Sequence, residues 1–166
     1  MTISYDPNCR PSLMGDPASA RIRIESLVAL ADVVKVSSED LEWLCPSRDV
    51  ADAAQDGLAR GPAMVVVVVV TLGAAGAYGV CGAGSTSVPA VAVTVADTVG
   101  AGDAYTAGLL DALYRRGLLG VPELGTLTSP DLLTDILAEA SVISALTCSR
   151  PGADPPTAAE VRAFRR

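Results

Sequence analysis

Six consecutive valines, Val65 to Val70, restrict this chain more than any other feature. β-branching at every position favours extended backbone, and a strand with no polar face must be covered on both sides. The run therefore predicts a central strand with helices packed above and below. The wider apolar stretch, Ala63 to Leu72, is too short to span a bilayer and leads into a glycine-rich segment. A chain of 166 residues can build one domain around such a strand, with residues 1–166 read as a single unit.

The flanking pattern completes an α/β reading. Thr2 to Tyr5 is a short β-like run ending at the turn cluster Asp6-Pro7-Asn8, so the chain is expected to begin inside a strand, with an N-terminal portion missing. Apolar residues from Ile22 to Leu30 recur at helical spacing over Ala18 to Ala31, and Val33 to Val36 follows as a strand. Ser37 with Asp40 three positions on is a capping arrangement that starts a helix, and a second helix is predicted over Asp49 to Ala59. Ala77 to Cys81 and the alternating Val88 to Val95 are predicted edge strands. Helices are predicted from about Ala104 to Arg116, and from Ser129-Pro130 to Leu146. Thr157 with Glu160 starts a terminal helix expected to turn Val161 and Phe164 inward. Strands interleaved with helices give a three-layer α/β/α sandwich with a mostly parallel sheet.

Charge and composition narrow the function. With 12 Lys and Arg against 19 Asp and Glu, the net charge of −7 repels phosphate backbones in general. Aromatic residues make up only 4%, which leaves no stacking platform for single-stranded nucleic acid. Neither nucleic acid nor a membrane is expected as a partner. The four cysteines are widely spaced and histidine is absent, so a zinc pattern or a His-based triad cannot be assembled. Reduced thiols and no secretory signal at Met1 to Asp6 suggest a cytoplasmic protein.

A bound phosphate must then be held locally. Thr98 to Asp103 is glycine-rich and opens a helix, so its backbone N–H groups can converge at the positive end of the helix dipole. Gly-x-x-x-x-Gly-Lys-Ser/Thr is absent, and Gly100-Ala101-Gly102 is too short for the dinucleotide fingerprint. What remains is an acid, Asp103, at the anion site itself. An isolated Asp there is ordinarily a first-turn charge.

The surrounding residues carry a longer pattern. Asp97-Thr98-Val99-Gly100-Ala101-Gly102-Asp103-Ala104-Tyr105, with Ala107-Gly108 after it, resembles the C-terminal signature of the ribokinase (PfkB) sugar kinases. Asp6-Pro7-Asn8-Cys9-Arg10-Pro11 resembles a block of its fructokinase-like and ketodeoxygluconate-kinase-like members. Lys35-Val36-Ser37-Ser38-Glu39-Asp40 is similar to the block usually written Asn-x-x-Glu. Val70 to Gly76 resembles the strand and turn beside the nucleotide, and Ala145 to Ala153 the C-terminal helix and cation loop.

The resemblance implies ATP-dependent phosphorylation of a sugar hydroxyl, with Mg²⁺ on the phosphates and K⁺ as a further ion. Asp103 would be the base, and Gly100, Ala101 and Gly102 would donate N–H groups to the transferred phosphoryl group. Ser37, Thr71, Gly73, Gly76 and Ser141 become nucleotide candidates, Arg10 and Asp97 substrate or phosphate candidates, and Asp40 a candidate on the Mg²⁺ side. Asp97, with carbonyls near Val99 and Gly152, would hold the monovalent cation. Two departures stand out: Ser37-x-x-Asp40 replaces Asn-x-x-Glu, with capping as an equal explanation, and Ser141 stands where many relatives have Asn. The family's sugar-binding half and lid are expected to be absent, so weak or no activity is expected of this chain alone, with homodimers a property of the full-length enzyme. A non-catalytic nucleotide-binding fragment or a truncated gene product is the alternative. A dinucleotide oxidoreductase would lack its fingerprint.

Overall fold

The structure, a computed structural model, describes residues 1–62, 64–69, 76–120 and 129–164, and for 65–69 the backbone alone. A five-stranded sheet has the order β1 (Ser4–Tyr5), β2 (Val33–Ser37), β3 (Met64–Val69), β4 (Gly76–Cys81), β5 (Gly84–Pro89). The first three strands are parallel, with Ser4 opposite Val33 and Val33 opposite Met64. β3, the valine strand, is central as expected, and the sheet continues from it into an antiparallel hairpin of β4 and β5.

Seven helices are described: α1 (Pro11–Met14), α2 (Pro17–Val28), α3 (Ser38–Leu44), α4 (Val50–Leu58), α5 (Ala101–Arg115), α6 (Pro130–Cys148) and α7 (Ala158–Phe164). Their starts follow side-chain capping. Asp16, Ser37, Asp49 and Ser129 each accept a hydrogen bond from an amide in the first turn of α2, α3, α4 and α6. At Ser37 the capping box is complete, because the Asp40 carboxylate also accepts from the Ser37 N–H.

Alternation along β2 divides the core between the two sheet faces. Val34 and Val36 join Ile24, Val28, Leu44 and Ala54 in one cluster, while Val33 joins Met64, Tyr105, Leu109 and Leu137 in the other. Helices α2, α3 and α4 thus cover one face and α5 and α6 the opposite one, which makes the three layers. Two glycines allow close approach on the second face. A β-carbon on Gly79 would lie 2.7 Å from Leu137 Cδ1, and one on Gly108 would lie 3.0 Å from Ala140 Cα.

Three expectations need correction. Ala77 to Cys81 lies within β4, which is interior between β3 and β5. The outer strand ends at Pro89 rather than continuing to Val95: a two-residue turn at Gly82-Ala83 sets the hairpin register, which places Pro89 opposite Gly76, the first residue of β4. Residues past Pro89 leave the ladder, and the amides of Ala96 and Asp97 donate to the carbonyl of Cys148. Phe164 is 45% exposed, as α7 is held by polar contacts of Glu160 with Arg150 and with Thr157.

Candidate active site

The first turn of α5 is built by residues that keep side chains away from it. Gly100, the N-cap, has φ 77° and ψ 0°, a left-handed conformation that favours glycine. A β-carbon there would also lie 2.8 Å from Ala153 Cβ. No side chain caps the helix, and the first N–H groups of an α-helix have no partner within it. The Ala101 amide is taken by a turn to the Thr98 carbonyl at 3.2 Å.

The buried stripe of α5 runs through Ala101, Ala104, Tyr105, Gly108, Leu109, Ala112 and Leu113, so it faces the sheet and α6. Asp103 lies off that stripe and is exposed in the first turn. Its carboxylate therefore stands at the positive end of a fifteen-residue helix beside amides without a side-chain cap. The glycine segment is curled rather than extended, and the acid is outside the core. This is the arrangement an anion site with an adjacent base requires.

Asp97 holds the approach to this turn. Its Oδ1 accepts from the amides of Thr98 at 2.7 Å and Val99 at 3.1 Å, and its Oδ2 accepts from Gly152 N–H at 2.9 Å. The amides of Val99, Gly152 and Thr98 hold its carboxyl below the ordinary range. Three amides thus donate to the carboxylate read as a substrate or monovalent-cation candidate, and through them it clasps two loops. Ser144 Oγ adds a bond to the Ala101 carbonyl at 3.0 Å.

The Asp-Pro-Asn-Cys-Arg block packs beside the end of β2. Asp6 Oδ2 meets Lys35 Nζ at 2.7 Å, and Asp6 Oδ1 accepts from the Asn8 amide at 3.1 Å. Asp40, 7% exposed, accepts from Cys9 N–H at 2.9 Å as well as serving the α3 capping box. Burial, followed by the Asp40 carboxylate, pushes the Cys9 thiol up to about 12, which leaves it protonated and unreactive. Lys35 reaches across to α5, where a β-carbon on Gly102 would lie 2.9 Å from its Nζ. Two blocks far apart in sequence therefore meet at the first turn of α5.

Other candidates are placed differently. Arg10 is exposed, but its Nη1 donates to the carbonyls of Cys9 and Asn8 at 2.9 and 3.3 Å, turned back on its own loop. Ser141 is 7% exposed and its hydroxyl donates to the Leu137 carbonyl one turn earlier in α6, at 2.9 Å, so in this conformation it bonds within its own helix rather than facing a surface site. Gly76 opens β4, where a β-carbon would be 2.4 Å from the Val88 carbonyl oxygen. Thr71 and Gly73 lie outside the described residues. Ser37 and Asp40 are both committed to capping.

Among the described residues, no group of three or more His, Cys, Asp or Glu is arranged to hold a metal ion. Mg²⁺ at phosphate sites needs no such group, since waters, substrate phosphates and one or two carboxylates commonly hold it. No described helix is long and apolar enough to cross a membrane. Sequence reasoning assigned no role to Lys35. The available signal was a lysine inside an otherwise apolar parallel strand.

Known proteins share this architecture. The model of the pfkB family carbohydrate kinases matches residues 1–159. A fructokinase of Rhizobium leguminosarum bv. trifolii is 41% identical over 125 residues, covering 75% of this chain and 37% of the relative. The crystal structure of a fructokinase with bound ATP from Xylella fastidiosa superimposes with a TM-score of 0.82 at 30% identity, over 98% of this chain and 51% of that one. A double mutant of the Vibrio cholerae O395 fructokinase, in a fructose-, ADP- and potassium-bound form, gives 0.76 at 30% identity, over 98% and 50%. The chain thus spans about half the length, or less, of these relatives. With the fold and nearly the whole sequence matched, the chain belongs to the pfkB family of carbohydrate kinases.

Proposed function

We propose that this chain forms the nucleotide-side part of an ATP-dependent sugar kinase, with Asp103 as the base that takes the proton from the attacking sugar hydroxyl. The observation that carries this reading is the exposed Asp103 carboxylate in the uncapped first turn of α5. The Gly102 and Asp103 amides would donate to the phosphoryl group as its charge shifts, and Gly100 and Ala101 set the curl that aims them. The hydroxyl proton passes to Asp103 as the new O–P bond forms and the bond to the ADP oxygen breaks. Because the transition state is loose, the proton moves late, so placement of the carboxylate matters more than its basicity.

ATP would supply the phosphoryl group, Mg²⁺ would offset charge on its phosphates, and K⁺ is a candidate structural ion. Fructose is the favoured acceptor, because the named relatives are fructokinases and one is described bound to fructose, ADP and potassium. A ketodeoxy sugar is the other acceptor consistent with the Asp6-to-Arg10 block. A second reading, a nucleotide-binding fragment without turnover, is favoured by the matched share of the relatives, 37 to 51% of their length.

Calorimetric titration with ATP and ADP release in the presence of fructose test both readings. The kinase reading expects ATP binding, some transfer to fructose, and an Asp103→Asn variant that keeps ATP affinity but loses transfer by about 10²-fold or more. ATP binding without any transfer supports the second reading. Absence of ATP binding, or full transfer by Asp103→Asn, refutes the assigned site.

A further inference from the structure

Lys35 is 4% exposed in the middle of β2, with Val34 and Val36 turned to the opposite face of the sheet. Burying an ammonium is costly even when it is paired, and an apolar side chain of similar volume usually serves stability as well or better. The location adds a second opposition. The Nζ lies against the first turn of α5, 2.9 Å from the point a Gly102 β-carbon would occupy, and the positive end of a helix favours anions over cations. Asp6, at 2.7 Å, offsets part of this. Both oppositions weaken if an anion arrives at the same turn.

We infer that Lys35, locked by Asp6, is a positioning residue of the phosphate site: it fixes the turn at Gly102 and adds buried positive charge that makes the site favour phosphate-bearing ligands. The inference rests on the proposed reading of the α5 turn and deepens it. Gly102 follows from the same arrangement, because any side chain there would displace the ammonium. The pair also ties the Asp6 loop to Lys35 of β2, 29 residues away in sequence, where the lysine meets the helix start.

The test compares ATP with adenosine, which lacks phosphate, by calorimetry on the whole chain. The variants are Lys35→Met, the double variant Lys35→Met with Asp6→Asn, and Gly102→Ala. The double variant removes both charges together and leaves no orphaned buried ion, so it preserves the fold better than either single change. Gly102→Ala moves the ammonium without removing its charge. We expect ATP affinity to fall about tenfold in each folded variant, about 1.4 kcal/mol, with adenosine affinity unchanged within about twofold. Equal loss for both ligands would mean a merely structural pair, and an unchanged ATP-to-adenosine ratio in the double variant would overturn the inference while leaving the anion site standing. If the wild-type chain itself fails to prefer ATP over adenosine, the anion site fails and this inference with it.

Discussion

Gly108 lets α5 approach the backbone of α6, and it gives a test whose sign separates two explanations. A β-carbon at this position would lie 2.9 Å from Ile143 Cδ1, 3.0 Å from Ala140 Cα and 3.3 Å from Ile143 Cβ. On helix propensity alone, Gly108→Ala should stabilise the protein by about 1 kcal/mol. Overpacking against a backbone atom opposes this with a cost of about 1–3 kcal/mol, because Ala140 Cα cannot move away as a side-chain end can. The expected balance is a loss of about 1 kcal/mol, a fall in Tm of roughly 2–4 °C for a domain of this size. Ala107, next in sequence and exposed, is the control: Ala107→Gly should lose about 1 kcal/mol by propensity alone. Thermal unfolding followed by circular dichroism measures both. A rise in Tm for Gly108→Ala, with the expected fall for Ala107→Gly, would refute close contact between the helices and with it the packing that aims the first turn of α5.

Two further outcomes follow from the geometry. Gly100→Ala forces a side chain into the left-handed region and against Ala153, and should cost about 2–3 kcal/mol in urea unfolding; a wild-type midpoint would show that the loop is not clasped this way. Burial pushes the Glu139 carboxyl up, but hydrogen bonds and charge from Arg116 and Arg115 outweigh it and bring the group down to about 2. Because this lies below the unfolded value of 4.5, the contribution is present above pH 4.5 and is lost as pH falls toward 2. With Arg115 half exposed, its worth is of order 1 kcal/mol, and Glu139→Gln should flatten that part of the stability profile; an unchanged acid profile would contradict the pairing.

Much of the fold was legible because local chemistry and tertiary packing agree. The valine run marked a strand, which the sheet places at its centre, and helices start beside Ser37, Asp49, Ser129 and Thr157, whose side chains bond nearby amides. Where local pattern and long-range pairing diverged, the pairing won. Val91, Val93 and Val95 alternate like a strand, yet the tight turn before Gly84 had already fixed which residues β4 could pair. The start of α5 came three residues earlier than its alanine pattern implied, since Gly102 enters the helix despite its low propensity.

The site divides in the same way. The curl at Gly100 and an exposed Asp103 could be anticipated from a glycine-rich segment opening a helix, because both depend on neighbours in sequence. The burial of Ser141 could not, as it depends on which face of α6 is covered, although the bond of its hydroxyl to the Leu137 carbonyl is local to the helix. Nor could the Lys35 and Asp6 pair, whose members meet only once β1 and β2 are side by side. The family block implies Arg10 as a phosphate or substrate contact, but the carbonyls of Asn8 and Cys9 hold its guanidinium on its own loop.

The central claim is that the first turn of α5 receives phosphate, and amide NMR during an ATP titration tests it without reliance on turnover. The account predicts that the Gly102 and Asp103 resonances move in proportion to bound ATP and stay in place with adenosine. ATP that binds while those two amides remain unmoved would contradict it.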